Sequence, residues 1–401
     1  MLKKYFVLIR FVVMILLGTM ICPMAVLAVE EEAATQGKEG TIGIEAPHAI
    51  LMEASTGTVL YEKDAHTARP PASVTKIMTM LLIFEALEDG KIKLEDTVVV
   101  SEKAASMGGS QVFLEPNEKQ SVDTMLKCIA VASANDACVA MAEYVSGSEE
   151  AFVNKMNERA KALGMENTHF VNCNGLDAEG HVTSAYDIAL MSRELLVNHP
   201  QVHDYCTIWM DTIIHTTAKG SQEFGLSNTN KLIRQYEYCT GLKTGSTSDA
   251  GFCVSATAKK DGMDLIAVIM NGENSKSRFQ DATTLLNYGY ANYQIYVDTD
   301  ADREALLPIS VKGGVQTELI PVYEKECAYL LMNGESLSDI EKKLELPQII
   351  QAPVEEHQVL GTLSYYHGDK KMGEVNILAS ERIDKAKYMD YVERVWLAWM
   401  M

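Results

Sequence analysis

From Ile77 to Leu87 the apolar residues Ile77, Met78, Met80, Leu81, Leu82, Phe84 and Leu87 fall nearly all round a helix. A surface helix keeps a polar face, so this pattern predicts a helix sunk in a core. Pro70-Pro71 stops any strand ahead of it and Asp89-Gly90 ends it. Upstream, Ala49 to Ala54 and Thr58 to Tyr61 flank Ser55-Thr56-Gly57, the pattern of a hairpin. Helical periodicity follows at about 121–132, 135–146, 149–163 and 184–198. Thr240 to Gly245, Gly251 to Ala258 and Leu265 to Asn271 then read as strands, the last entered through Asp261-Gly262, and a helix over roughly 276–292 closes the unit. Strands at both ends with helices between them predict one mixed α/β domain over 41–292, its sheet joining the two termini.

From 299 to 384 the pattern changes to alternating patches such as Glu318–Tyr323, Gln358–Leu363 and Glu374–Leu378, which predict a small β-rich domain. Before the mixed domain, Lys3, Lys4 and Arg10 precede an apolar run from Phe11 to Cys22, followed by Val26-Leu27-Ala28. That order of charge, apolar run and small residue reads as a signal peptide over 1–28; the run is shorter than the roughly 20 residues of a membrane span. Residues 29–40 read as a linker.

Hydrophobic residues make up 47% of the 401 and charged residues 22%, which excludes a disordered chain and leaves ample core. A net charge of −20 repels phosphate backbones, so nucleic acid is not expected as a partner. Seven cysteines follow Cys22, scattered singly, so free and mostly buried thiols are expected rather than a disulfide framework or a metal site.

Three short motifs carry chemistry. In Ser73-Val74-Thr75-Lys76, positions i and i+3 share a helix face, so the Lys76 amine can reach the Ser73 hydroxyl. A serine attacks only when a base takes its proton, and an amine serves only when burial or a neighbouring cation keeps it neutral. Ser73 is expected in the first helical turn, where its N–H is free to bind an oxyanion. Ser133-Ala134-Asn135 stands at a break between helices, where a hydroxyl and an amide can pass a proton and hold a substrate; an ordinary helix cap reads the same way. Lys243-Thr244-Gly245 on a strand, followed by Ser246, offers a cation and a hydroxyl to a carboxylate, with Gly245 allowing close approach.

Each motif alone is common, but the order S-x-x-K, S-x-N, K-T-G is that of serine β-lactamases and penicillin-binding proteins. The chain resembles a serine-type D-alanyl-D-alanine carboxypeptidase, a low-molecular-mass penicillin-binding protein. Arg69-Pro70-Pro71-Ala72 is similar to that family's lead-in to the nucleophile, and Ser277-Arg278-Phe279-Gln280 to its final helix. Asn172 to Asp177 resembles a stretch usually read N-P-H-G-L-D, with Cys173 and Asn174 departing from it.

The resemblance implies an antiparallel sheet flanked by helices, of the β-lactamase/transpeptidase type, plus a C-terminal β domain. It implies Ser73 as acylated nucleophile, Lys76 as base, Ser133 as proton relay and Asn135 as orienter of the substrate amide. Lys243, Thr244 and Arg278 would hold a terminal carboxylate, with the Ser73 and Ser246 N–H groups as the oxyanion hole. The implied partners are peptidoglycan stem peptides ending in D-Ala-D-Ala and β-lactams, on the outer face of the cytoplasmic membrane, with no metal or cofactor. A β-lactamase is the nearest competitor; it would need a carboxylate for its water, and Glu166 is the residue to inspect. A penicillin-binding scaffold without turnover is the other, and the intact base argues against it. At the C-terminus, Tyr388, Tyr391, Val392, Val395, Trp396 and Trp399 line one face of a helix, with three basic and two acidic residues over 385–401. This predicts an amphipathic tail lying on a membrane, or else packed on the β domain.

Overall fold

The computed structural model describes residues 42–400 apart from 219 and 300–302. The expected signal peptide, the linker and Cys22 lie outside the described residues.

The chain opens on the antiparallel hairpin of β1 (His48–Glu53) and β2 (Val59–Lys63). The buried Glu53 carboxylate accepts the N–H and hydroxyl groups of Ser55 and Thr56, which sets the turn. A 3-10 turn, Ala72–Thr75, runs directly into α1 (Lys76–Glu88). Strands β3 (Thr97–Val99) and β4 (Lys119–Ser121) pair, and α2 (Val122–Ala130), α3 (Asn135–Ser146), α4 (Glu149–Ala162) and α5 (Ala185–Asn198) follow. The Ser121, Ser148 and Ser184 side chains accept backbone N–H groups at the starts of α2, α4 and α5, satisfying donors that lack intrahelical partners. A separate hairpin, β5 (Met210–Thr217) and β6 (Gly220–Ser227), precedes β7 (Cys239–Thr247), β8 (Gly251–Lys260), β9 (Met263–Gly272) and α6 (Ser275–Asn292).

The main sheet has the order β2-β1-β9-β8-β7, so first and last strands of the domain meet as expected. It is buried on both faces. Ile50 and Met52 of β1, with Ile266, Val268 and Met270 of β9, face one core shared with α1. Ala49, Leu51, Leu265, Ala267 and Ile269 face a second core under α6. Two-sided burial is why these strands are apolar runs rather than alternating ones. In α1 every residue from Lys76 to Phe84 is buried, as the all-round pattern predicts.

β10 (Tyr293–Asp298) begins directly after α6 and pairs with β14 (Cys327–Met332), so it belongs to the second sheet system rather than to a spacer. Between them lie β11 (Ile309–Lys312), β12 (Glu318–Leu319) and β13 (Pro321–Tyr323); β15 (Ile340–Glu345), β16 (Ile349–Gln351), β17 (Val359–His367) and β18 (Lys370–Ala379) follow. They form sheets of order β12-β11-β16 and β13-β18-β17-β15. Buried Asp298 accepts from Lys342 Nζ at 2.6 Å and the Tyr365 hydroxyl at 2.6 Å, tying the end of β10 to β15 and β17. The last element is α7 (Tyr388–Met400).

Candidate active site

Pro71 has no N–H, and Ala72 sits at φ 49°, so the chain turns sharply just before Ser73. Ser73 therefore stands in the 3-10 turn ahead of α1, one step outside the α turn that the spacing suggests. Lys76, the first residue of α1, is 0% exposed. Its Nζ lies 3.0 Å from Ser73 Oγ, 2.7 Å from Asn135 Oδ1 and 2.6 Å from the Asn174 backbone oxygen. The last two can only accept. A neutral amine donating to both is left with its lone pair facing the Ser73 hydroxyl, the arrangement a general base requires. Burial pushes the Lys76 amine below its usual value, with Cys138, Cys173 and Asp136 opposing that more weakly.

Ser133 occupies the break between α2 and α3 at φ 60°, a region costly for a residue with a side chain. Its Oγ is buried and has no hydrogen-bond partner among the described residues. An ordinary cap would bond the next helix, and Ala134, not Ser133, is the cap of α3. Asn135 donates through Nδ2 to Gly108 O at 2.7 Å and through its backbone N–H to Ser110 O at 2.7 Å. Both ends of its amide are thus engaged within the protein, so in the free site it holds Lys76 as well as facing the cleft. Asp136 accepts from the Val112 and Leu114 N–H groups and pins the same 108–114 segment.

β7 is the edge strand of the main sheet and packs against the serine turn. A Cβ on Gly245 would lie 2.7 Å from Ser73 N and 2.9 Å from Val74 N, so glycine is required here by the Ser73 turn itself. Lys243 is 1% exposed; burial and then repulsion from Lys76 lower its amine to about 7. The Thr244 hydroxyl donates to Thr229 Oγ1 at 2.7 Å, and Ser246 is exposed on the same strand. Arg278, from α6, donates through Nη1 to Gly245 O and Cys253 O and so braces β7 against β8. Burial lowers it to about 10. Among the described residues no carboxylate is hydrogen-bonded to Lys76, Lys243 or Arg278, whose partners are Ser73, Asn135 and backbone carbonyls. Lys243 and Arg278, two buried basic groups without a carboxylate partner among the described residues, make this a site for an anion, inside a protein of net charge −20.

The D-alanyl-D-alanine carboxypeptidase family matches residues 32–274, and the penicillin-binding protein 5 C-terminal domain matches residues 303–385. The chain belongs to the D-alanyl-D-alanine carboxypeptidase family. It is 40% identical over 385 residues to D-alanyl-D-alanine carboxypeptidase DacF of Bacillus subtilis (strain 168), covering 96% of this chain and 97% of that one. It is 30% identical over 372 residues to DacA of Escherichia coli (strain K12), 90% of each. Penicillin binding protein 5 from Haemophilus influenzae superposes with a TM-score of 0.70 at 28% identity, over 85% of this chain and 98% of that chain. The chain is thus a serine-type hydrolase of the low-molecular-mass penicillin-binding class, with the β-lactamase/transpeptidase-like fold and the β-rich C-terminal domain expected.

As a D-alanyl-D-alanine carboxypeptidase it departs from the expected pattern at Cys173 and Asn174, and the geometry shows why that is tolerated. Cys173 O accepts from Thr79 Oγ1 at 2.5 Å and Asn174 O from Lys76 Nζ, so the backbone makes the contacts. Gly175, at φ 89°, lets the loop close: a Cβ there would lie 1.9 Å from Ala72 O. These carbonyls, with Gly108 O, are the part of the site that motif reading missed, because a backbone oxygen leaves no mark in the sequence. Asp136, adjacent to the second motif, was the available signal for the 108–114 segment. Glu166 is exposed in the turn after α4. The seven thiols after Cys22 are free, and all but Cys239 are buried.

Proposed function

We propose that Ser73 attacks the carbonyl between the last two D-alanines of a peptidoglycan stem peptide while Lys76 takes its proton. The C–N bond breaks, the proton passes by way of Ser133 to the departing D-alanine nitrogen, and an acyl ester remains on Ser73. Water then cleaves that ester and restores the hydroxyl. Asn135 orients the substrate amide, and the Ser73 and Ser246 N–H groups stabilise the oxyanion. Lys243, Thr244 and Arg278 take the terminal carboxylate. The observation that carries this reading is the buried Lys76 amine, whose two fixed acceptors leave it only Ser73 to act on. β-Lactams acylate the same oxygen.

Lys243 and Arg278, without a carboxylate partner among the described residues, supply the specificity. A substrate ending in a carboxylate compensates them, whereas an amide leaves buried cations unpaired. D-Alanine release from a defined pentapeptide and from its C-terminal amide tests this: the amide is expected to turn over at least about 100-fold less efficiently. Equal kcat/KM for the two refutes it.

The enzyme works outside the cytoplasm, led there by residues 1–28. We assign α7 as its attachment to the membrane surface. Tyr388 is 79% exposed, Val395 71%, Trp396 58% and Trp399 79%, which leaves these side chains open to a membrane surface. Arg394, on the same helix, donates to the carbonyls of Gly314 and Val315 and holds the helix against the β domain by another side. Among the described residues no helix is long and apolar enough to cross a membrane. A 13-residue amphipathic helix with paired tryptophans suits the interface.

A further inference from the structure

We propose that His181, acting through Thr75, is a positioning residue for acylation: it fixes the peptide plane whose N–H belongs to Ser73. The inference rests on Ser73 being the nucleophile.

The chain of donors and acceptors can be followed atom by atom. His181 is 2% exposed, and its Nδ1 lies 2.9 Å from the Val171 N–H, which can only donate. Nδ1 must therefore accept, so the neutral ring carries its proton on Nε2. Burial, helped by His169 and opposed by Asp177, lowers the ring to about 4, which keeps it in that single-proton form at neutral pH. Nε2 lies 2.9 Å from Thr75 Oγ1 and donates to it. The Thr75 hydroxyl spends its own proton on Ala72 O at 2.8 Å. Every member of this chain has one direction open to it.

Ala72 O and Ser73 N are the two ends of one peptide unit. In a planar trans peptide the C=O and N–H point in opposite directions, so fixing one aims the other. Here the carbonyl is pulled by Thr75, and Gly175 closes over it so tightly that no Cβ fits. Gly245 packs against the N–H end in the same manner. Ala72 is itself at φ 49°, a conformation that an alanine keeps only when its surroundings impose it. His181 and Thr75 are the polar part of that imposition. Without the pull on its carbonyl, the peptide can rock and the Ser73 N–H loses its aim at the developing oxyanion, which lowers the acylation rate with little change in ground-state binding.

Stopped-flow acylation of the full chain by a penicillin separates the acylation rate constant from the dissociation constant of the initial complex. Thr75→Val is expected to acylate about 10- to 100-fold more slowly, with the dissociation constant within about threefold of wild type. Thr75→Ser, which keeps the hydroxyl, is expected to recover most of that rate. His181→Gln can still donate to Thr75, whereas His181→Asn reaches only the Val171 side; the Asn variant should be the slower. In the double variant Thr75→Val/His181→Asn the losses should not multiply, because both break one chain. Wild-type acylation by Thr75→Val, equal loss in the Ser and Val variants, or multiplicative losses in the double variant would each overturn the proposal. A melting temperature for each variant identifies any that fails to fold, and the Thr75 pair and the His181 pair each decide the outcome alone. A wild-type protein that forms no adduct at Ser73 would instead remove the nucleophile assignment beneath it.

Discussion

At the residue scale two buried amines, Lys76 and Lys243, set how the site responds to pH. Lys76 acts as a base only when neutral, and Lys243 attracts a carboxylate only when protonated. Burial lowers both, and repulsion from Lys76 lowers Lys243 further. The acid limb of kcat/KM then reports Lys76: activity falls as pH drops and the base is protonated. The alkaline limb reports Lys243, lowered to about 7 in the free enzyme, and activity falls as pH rises through that value. A bound carboxylate favours the charged form, so the alkaline limb of kcat should lie at higher pH than that of kcat/KM. Lys243→Arg is expected to lower activity but to move the alkaline limb out of the accessible range, since a guanidinium does not titrate there. An alkaline limb unchanged in that variant contradicts the assignment.

At the scale of elements, β7 shows how the sheet serves the chemistry. As an edge strand it has one side paired with β8 and the other free to meet the serine turn. Arg278 bonds carbonyls on both β7 and β8, so the free edge is braced from behind where it carries Lys243, Thr244 and Gly245. The helix α7 stands at the opposite extreme: Tyr388, Val395, Trp396 and Trp399 on its apolar face are largely exposed. Deleting residues 385–401 is expected to release a soluble protein with unchanged kcat/KM on a small peptide, because the hydrogen bonds of the described tail residues to the rest of the fold go to the 313–315 segment of the β-rich domain. Sedimentation of the truncated, signal-processed protein with membranes would show that the tail is not the anchor. Elements were legible in the sequence where burial was one- or two-sided and periodic: α1 and the four helices after it begin and end within about two residues of expectation. The hairpin of β5 and β6 was not legible: burial alternates along β5, but Met210 and Ile214 face outward while Asp211 and His215 are half-buried, and β6 is mostly exposed, so hydrophobicity does not follow the strand period. The patch at Glu318–Tyr323 looked like a single strand but is split at Ile320 into β12 and β13, which join different sheets. Pro321, lacking an N–H, stands at that division.

At the scale of the whole molecule, the catalytic domain passes into the β-rich domain without a spacer, since β10 starts where α6 stops. The order of motifs along the chain was readable because each fixes a local geometry: a 3-residue helical spacing, a helix break, a strand edge. Their convergence on one cleft depends on strand pairings across long sequence separations, and on the carbonyls of Gly108, Cys173 and Asn174, none of which a sequence displays. The central claim is that these distant pieces make Ser73 the acylated nucleophile. Intact-protein mass after incubation with benzylpenicillin tests it most directly. The account predicts one covalent adduct on the wild-type protein, mapping to the peptide that contains Ser73 and absent from Ser73→Ala. An adduct that persists in Ser73→Ala, or that maps elsewhere, would contradict it.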